Sequence, residues 1–336
     1  MALDIENPAE ALTYLRGTGL IAPDESPRIE VLAGGVSSRT VLVERDRGES
    51  LVLKQSLAKL RVAVDWFSDP ARIFREALAM RYLGELAPQG SITRLIREDR
   101  ECGLIAMEAV PRPHSNWKSM LLAGDVRNGH VRQFAGILAA VHRNSAERSP
   151  ELEPLFGDRR FFETLRIEPY YRYPAVKFAG TRAAEFLCNL IEDTLATSVA
   201  LVHGDFSPKN VLLHGERMVL LDHEVAHFGD PAFDIGFAMA HFLSKGHHVS
   251  AEFFEAARLF WRSYFSGWSP YQGFEHRCAR HSIACTLARV CGRSPLEYLG
   301  VAERSRQREA AFTVIAAGPE GVLEMIEAFR KELACR

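Results

Sequence analysis

The sequence predicts an α+β fold of two lobes, a small lobe built on an antiparallel sheet and a larger, mainly helical one after it. Three observations predict it. Short runs rich in β-branched and aliphatic residues occupy the chain up to Met107, a stretch broken by two prolines follows at Glu108-Ala109-Val110-Pro111-Arg112-Pro113, and apolar residues at helical spacing dominate from Asn116 onwards. Pro111 and Pro113 forbid both a helix and a regular central strand there, so an extended hinge is expected, with lobes at 1–110 and 111–336. The 336 residues, 47% hydrophobic and 25% charged, suffice for one large or two moderate cores.

The first lobe opens on a helix that Asn7 can cap, with Pro8 at its first position, Glu10 placed for a capping box and Gly17 able to end it. Strands over 29–31 and 40–44 flank the turn Ala33-Gly34-Gly35-Val36-Ser37-Ser38. Backbone N–H groups at Gly34, Gly35, Ser37 and Ser38 can approach phosphate oxygens, although a Gly-Gly turn also reads as a plain hairpin. The strand over 51–54 ends in Lys54, which either neutralises phosphate oxygens or guards a sheet edge. A helix from about Pro70, with Asp69 as its cap, carries the stripe Ile73, Ala77, Met80 and Leu83. Glu76 adjoins that stripe, as a helix-surface charge or as the partner that orients Lys54. Strands over 92–96 and 103–107 complete the sheet, and the free backbone groups of the hinge can pair with an adenine edge.

In the second lobe, helices are expected over 117–122, 132–142, 161–165, 182–195, 233–243, 251–265, 276–290 and 305–333. The stretch 201–234, LVHGDFSPKNVLLHGERMVLLDHEVAHFGDPAFD, organises it. Val211-Leu212-Leu213 and the run 218–221 read as a hairpin turning at His214-Gly215-Glu216, which brings Asp205, Asn210 and Asp222 to one edge. His203-Gly204-Asp205 with Asn210 fits the spacing H-x-D-x-x-x-x-N of phosphoryl-transfer sites, in which the Asp accepts a hydroxyl proton and the Asn holds Mg²⁺. Asp222-His223-Glu224 then stands where a metal-binding D-F-G would. Singly, these residues are ordinary turn formers and caps; together, at these spacings, they are not.

Asp230 and Asp234 can touch the same ion, but Asp234 reads better as a helix cap that braces the catalytic loop. His247 and His248 read as solvated residues at a helix end after Gly246, His142 as a packed histidine, and Trp117, Trp261 and Trp268 as core or pocket lining. Arg289 lies about 200° around its helix from Leu287, which by periodicity alone points it to solvent.

The formal net charge of −2 and the lack of a basic run give no footprint for nucleic acid. The six cysteines show no C-x-x-C spacing and read as reduced thiols. No stretch approaches about 18 uninterrupted apolar residues and the first residues lack a basic-then-apolar leader, so a cytoplasmic protein without membrane contact is expected.

HGDFSPKN, LLDHE and GDPAFDIG resemble the aminoglycoside phosphotransferase and choline kinase superfamily, which has the protein-kinase-like bilobal fold. Within it, LVLKQSLAKLRVAVDWFSDPARIFREAL and DHE are similar to the methylthioribose kinases, homodimeric enzymes that phosphorylate a thio-sugar hydroxyl with ATP. The resemblance covers about 29–299. It implies ATP and Mg²⁺ as cofactors, a small-molecule hydroxyl acceptor, and a homodimer. It further implies Asp205 as base, Asn210, Asp222 and Glu224 on the metal, Lys54 and Glu76 on the phosphates, and Glu108 and Val110 at the adenine. The methylthioribose kinases carry HGDLHTGS where this chain has HGDFSPKN, and a late Arg-Arg pair where it has only Arg289. The position implies that Arg289 reaches the acceptor, which is then polyhydroxylated or anionic rather than a cationic aminoglycoside. An aminoglycoside or choline/amino-alcohol phosphotransferase and a non-catalytic nucleotide-binding regulator are the alternatives. A protein kinase is disfavoured, because eleven residues between Asp222 and Asp234 leave no room for an activation segment and no A-P-E follows.

Overall fold

The computed structural model describes residues 3–32, 37–61, 66–266 and 268–334. Gly34 and Gly35 lie outside them; Ser37 and Ser38 lie within. Helix α1 (Pro8–Gly17) begins as its sequence requires, with Asn7 Oδ1 accepting from the Ala9 N–H at 3.1 Å. Glu10 does not close a capping box. Its carboxylate accepts from the Asp4 N–H at 2.9 Å and from Asn7 Nδ2 at 3.0 Å, because the Asn7 N–H is already given to the Asp4 carbonyl.

Strands β1 (Arg28–Val31), β2 (Ser38–Glu44), β3 (Leu51–Ser56), β4 (Leu95–Asp99) and β5 (Leu104–Glu108) form one antiparallel sheet in the order β1-β2-β3-β5-β4. Strand β3 is central and runs two residues past Lys54, which pairs with Thr40 on one side and Ile105 on the other. Lys54 is therefore no edge guard. Strand β4 lies three residues later than expected, because Ser91 and Ile92 are engaged elsewhere: the Ser91 carbonyl accepts from the Leu220 N–H at 2.8 Å and Ile92 bridges Leu220. Helix α2 (Arg72–Leu86) covers one face of the sheet through Ile73, Ala77 and Met80, which pack on Ile105 and Met107. It starts two residues after Pro70, since Asp69 Oδ1 accepts from Ala71 N–H and caps a preceding turn instead.

A two-residue strand β6 (Ser115–Asn116) follows the proline connector and leads into α3 (Trp117–Leu122) and α4 (Asn128–Glu147). Next come α5 (Ser149–Phe156), α6 (Arg160–Phe162), a π-helical run over Glu163–Arg172, α7 (Tyr173–Lys177) and α8 (Arg182–Ala196). Strand β7 (Ala200–Val202), the hairpin β8 (Val211–His214) and β9 (Arg217–Leu220), and β10 (His227–Gly229) carry the catalytic stretch. β10 pairs antiparallel with β7, and β6 pairs with β8. Helices α9 (Ala232–His248), α10 (Glu252–Phe265), α11 (Phe274–Cys291), α12 (Val301–Ala317) and α13 (Val322–Ala334) complete the described chain.

Two helix expectations need correction. The single helix over 305–333 is two, because Gly318 takes φ +65° and the next residue is Pro319, which disfavours helix in its predecessor. Helix α9 does not end at Gly246. There the glycine admits the Phe254 ring, 2.7 Å from where a Cβ would stand, and the helix continues to His248, whose Nδ1 meets Glu303 Oε1 at 2.7 Å.

Helices α9 and α11 are buried along most of their length and form the centre of the main core. Phe134 of α4 stacks on Phe206 at 4.1 Å, and Trp117 sits edge-on to Phe134, so the segment just after Asp205 is anchored in that core. Among the described residues, no helix is long and apolar enough to cross a membrane.

At Gly236, a Cβ would lie 2.4 Å from the Cβ of His281 and 2.5 Å from its backbone carbon, so α9 and α11 touch main chain to side chain there. Gly236→Ala is expected to lower stability by about 1–3 kcal/mol in urea unfolding. Gly136→Ala, on an α4 position with nothing within 4 Å, is expected to be neutral or to gain up to about 1 kcal/mol. Equal effects at the two sites would contradict the packing described.

Candidate active site

Four segments deliver the charged groups. From β3, Lys54 places its Nζ 2.9 Å from Glu76 Oε1 and 2.7 Å from Oε2 on α2, and 2.7 Å from Asp222 Oδ1. Burial pulls its pKa down, but Asp222, Glu76 and Glu224 together push it upward and Lys54 stays charged. Glu76 is 1% exposed; burial raises its pKa against the pull of Lys54. Helix α2 thus presents Glu76 inward, as the orienting partner.

The catalytic loop leaves β7 at His203. Gly204 takes φ +77° with the Val225 carbonyl oxygen 3.0 Å from where its Cβ would be, so any other residue there is both strained and crowded. Asp234, in the first turn of α9, accepts from the His203 N–H at 2.6 Å and from the Gly204 N–H at 2.8 Å. His142 stands behind it, with Nε2 at 3.2 Å from Asp234 and Nδ1 at 2.9 Å from the Tyr264 hydroxyl. Asp234 braces the loop, as its position suggested, yet the helix cap is Asp230, whose Oδ1 accepts from the Ala232 N–H at 3.0 Å. Asp230 also accepts from Tyr271 and Arg277, so both aspartates are committed to structure.

Asp205 is 2% exposed. Its Oδ2 receives Arg166 Nη2 at 3.0 Å and Lys209 Nζ at 2.9 Å, while Oδ1 has no partner among the described residues. Burial raises its pKa, but Arg166 and Lys209 outweigh that and the net shift is downward, so it is a carboxylate with one free oxygen. Arg166 also donates to the Gly204 carbonyl at 2.6 Å. Asn210 donates its Nδ2 to the Asp205 carbonyl at 2.9 Å, which leaves its Oδ1 as a donor atom for a metal.

After β9 the chain turns through Asp222, the one described non-glycine residue in the left-handed region, at φ +66°. Glu224, two residues on, receives Arg72 Nε at 3.0 Å. Arg72 is fully buried; its guanidinium also donates to the Leu57 carbonyl at 2.7 Å and to the Ser37 carbonyl. Carboxylate oxygens of Glu76, Asp222 and Glu224 lie within 4.8 Å of one another. With Asn210 lining the same cavity, the donor set is all oxygen and mostly anionic, which fits a hard cation such as Mg²⁺.

One cavity of about 780 Å³ takes in Ser37, Ser38, Lys54, Glu76, Glu108 and Val110 together with Asp205, Asn210, Asp222, Glu224 and Arg289. At the connector, the Glu108 N–H is given to the Arg94 carbonyl at 2.9 Å and the Ala109 N–H to the Ser50 carbonyl at 3.0 Å. Arg289 is not solvated, as periodicity alone suggested. It is 7% exposed and donates Nη1 to the Tyr170 hydroxyl at 2.8 Å and to the Ser294 carbonyl at 2.6 Å. The periodicity misleads because α11 is covered on every side, so no face of it is a solvent face.

Sequence reasoning missed Arg166, Tyr170 and Arg72. The first two are four residues apart on the π-helical run, where both turn into the cavity. Lys209 was legible in principle, since it lies inside the H-x-D-x-x-x-x-N stretch itself.

Residues 28–274 match the phosphotransferase enzyme family. Methylthioribose kinase 2 of Oryza sativa subsp. japonica is 23% identical over 274 residues, covering 71% of this chain and 64% of the rice protein. Methylthioribose kinase of Yersinia enterocolitica is 24% identical over 267 residues, covering 70% of this chain and 65% of that protein. The chain therefore spans just under two thirds of the length of the curated relatives it matches. A choline/ethanolamine kinase family protein from Mesorhizobium loti superposes with a TM-score of 0.57 at 16% identity, over 96% of this chain and 99% of that one. Choline kinase LicA from Streptococcus pneumoniae gives 0.51 at 16% identity, over 98% and 100%. The shared fold is the protein-kinase-like one. On the match that spans most of its length, the chain belongs to the phosphotransferase enzyme family.

Proposed function

We propose that the protein is an ATP- and Mg²⁺-dependent kinase that moves the γ-phosphoryl group to a hydroxyl of a small polar acceptor, with a sugar such as methylthioribose as the first candidate. The observation that carries this reading is the convergence of Lys54, Asp205, Asn210 and Asp222, from separate segments, on one cavity. Phosphoryl transfer asks little covalent chemistry of a protein; it needs cations on the phosphates, a metal site and a positioned hydroxyl. Lys54, oriented by Glu76, holds the α- and β-phosphate oxygens. Asn210, Asp222 and Glu224 would hold Mg²⁺, which supplies charge neutralisation between the phosphates. Val110 and the carbonyl of Glu108 pair with the base. Asp205 Oδ1, the carboxylate oxygen with no protein partner, takes the acceptor's hydroxyl proton. Arg289 orients the acceptor. The kinship with methylthioribose kinases supports a sugar acceptor.

Asp205→Asn is expected to lower turnover by roughly 10²-fold or more with nucleotide affinity nearly unchanged, since positioned base catalysis supplies about 10² to 10⁴. Parallel loss of nucleotide affinity would contradict the role. In calorimetric titrations, Asp222→Ala should abolish the Mg²⁺ dependence of ATP binding, whereas Lys54→Ala should weaken ATP and ADP at saturating metal. Indistinguishable titrations would remove the division of labour between them. Arg289→Ala should raise the acceptor KM while the KM for ATP stays nearly fixed, because that contact exists before chemistry as well as during it. Unaltered steady-state kinetics with the true acceptor would count against it.

A further inference from the structure

Resting on the kinase reading above but departing from it on the acceptor, since methylthioribose is neutral, we propose that the acceptor is an anion, a small hydroxylated molecule whose carboxylate or phosphate group is held by the cations around Arg289, Lys118 and Lys209. Besides Lys54, and Arg112 which pairs with Glu30 and Glu44, four cations line the cavity: Arg166, Lys209, Arg289 and Lys118. Their carboxylates are only two. Asp205 takes both Arg166 and Lys209, and Glu297 takes Lys118. Arg289 has no carboxylate partner among the described residues; its Nη1 is spent on neutral oxygens and its Nε is buried without an acceptor. Arg166 and Lys209 also lie in the field of Asp222, so the charge left there without a carboxylate of its own is that of Arg289.

A residue behind the wall reports the same field. Lys245 is fully buried, and among the described residues its Nζ reaches only the His241 carbonyl at 3.4 Å and the face of Tyr298. Its pKa is driven down to about 7 by burial first, then by Lys118 and Arg289. His241 is pushed down as well, by burial and then by Lys245, Arg289, Lys209 and Lys118. Lys54 feels a different set, dominated by Asp222, Glu76 and Glu224. Arg166 and Lys209 are shared with Asp222, but Arg289 is not among the leading charges on Lys54 or Asp222, so its charge is left for something else. Uncompensated buried charge is costly unless a partner arrives, and an anion supplies it; a cationic amino alcohol or aminoglycoside adds to the imbalance.

The chemistry balances without any further reagent. The acceptor hydroxyl oxygen bonds to the γ-phosphorus, the bond from that phosphorus to the ADP oxygen breaks, and the hydroxyl proton passes to Asp205. The products are ADP and a phosphomonoester that still carries the anchoring anion.

The test uses the full chain with Mg·ATP and acceptors matched except in charge: glycerate, glyceramide and glycerol; ribose 5-phosphate and ribose; and choline as a cation. Thermal stabilisation by the same compounds is read alongside turnover. The anionic member of a set should be favoured by about tenfold or more in kcat/KM, and Arg289→Gln should erase most of that preference chiefly through KM. Lys118→Gln, on a half-buried side chain, carries the same expectation should Arg289→Gln fail to fold. Preference within the glycerate set identifies a carboxylate, and within the ribose set a phosphate. Turnover that favours a neutral or cationic compound overturns the proposal and leaves the kinase reading intact. No turnover, with anion-specific stabilisation lost in the variants, upholds the anion site and overturns the kinase reading. Absence of both anion-dependent effects overturns the proposal.

Discussion

The Lys54–Glu76 and Lys54–Asp222 pairs are the constraint on which the rest of the molecule depends. One ammonium, almost wholly buried, is shared by a helix carboxylate at 2.7 Å and by the aspartate that follows the β8–β9 hairpin, also at 2.7 Å. Taking such charges out of water costs several kcal/mol each, so the cluster is tolerable only while every member keeps its partner. That requirement fixes α2 against the sheet and fixes both against the hairpin. It also explains why Asp222 is held in the left-handed region, where a non-glycine residue carries about 1–3 kcal/mol of strain. In the proposed reaction, phosphates and metal take over the contacts that Lys54 and Asp222 now make with each other.

A second tier of contacts serves the catalytic loop. Asp234 gathers two loop N–H groups and is itself held by His142, which leans on Tyr264, so three helices of the main core position residues 203 and 204. On the other side, the π-helical run supplies Arg166 to the loop's carbonyl and carboxylate and Tyr170 to Arg289. The extra residue per turn in such a run re-aims side chains that an α-helix would leave on its outer face. Asp205 and Arg289 are thereby tied to one element.

Much of this was legible in the residues. Asp205, Asn210 and Asp222 declare themselves because a hairpin between two short apolar runs must bring its flanks together, and the structure brings them together. Lys54 and Glu76 were legible as a pair, but the choice between an edge guard and a phosphate ligand required strand order, which local pattern does not carry; β5 inserts beside β3 from fifty residues away. Periodicity alone pointed Arg289 to solvent, and it misleads because a helix packed all round has no polar face to betray its orientation. Arg166 and Tyr170 had no signal, since their direction depends on a change of helix type that Pro169 alone does not announce. Arg72 carries no signal of its own near a helix start; only its ring of carbonyls, from Ser37 to Asp69, makes it a buried linchpin for Glu224.

The most direct test is a crystal structure with a non-hydrolysable ATP analogue and Mn²⁺ as an anomalous stand-in for Mg²⁺. An anomalous peak about 2.1 Å from an Asp222 carboxylate oxygen, a distance typical of such oxygen-bound ions, is the expected result, with Lys54 on the phosphate oxygens and the γ-phosphorus facing Asp205. A nucleotide bound elsewhere, or one bound while Lys54 and Asp222 remain paired and no metal touches Asp222, would contradict it.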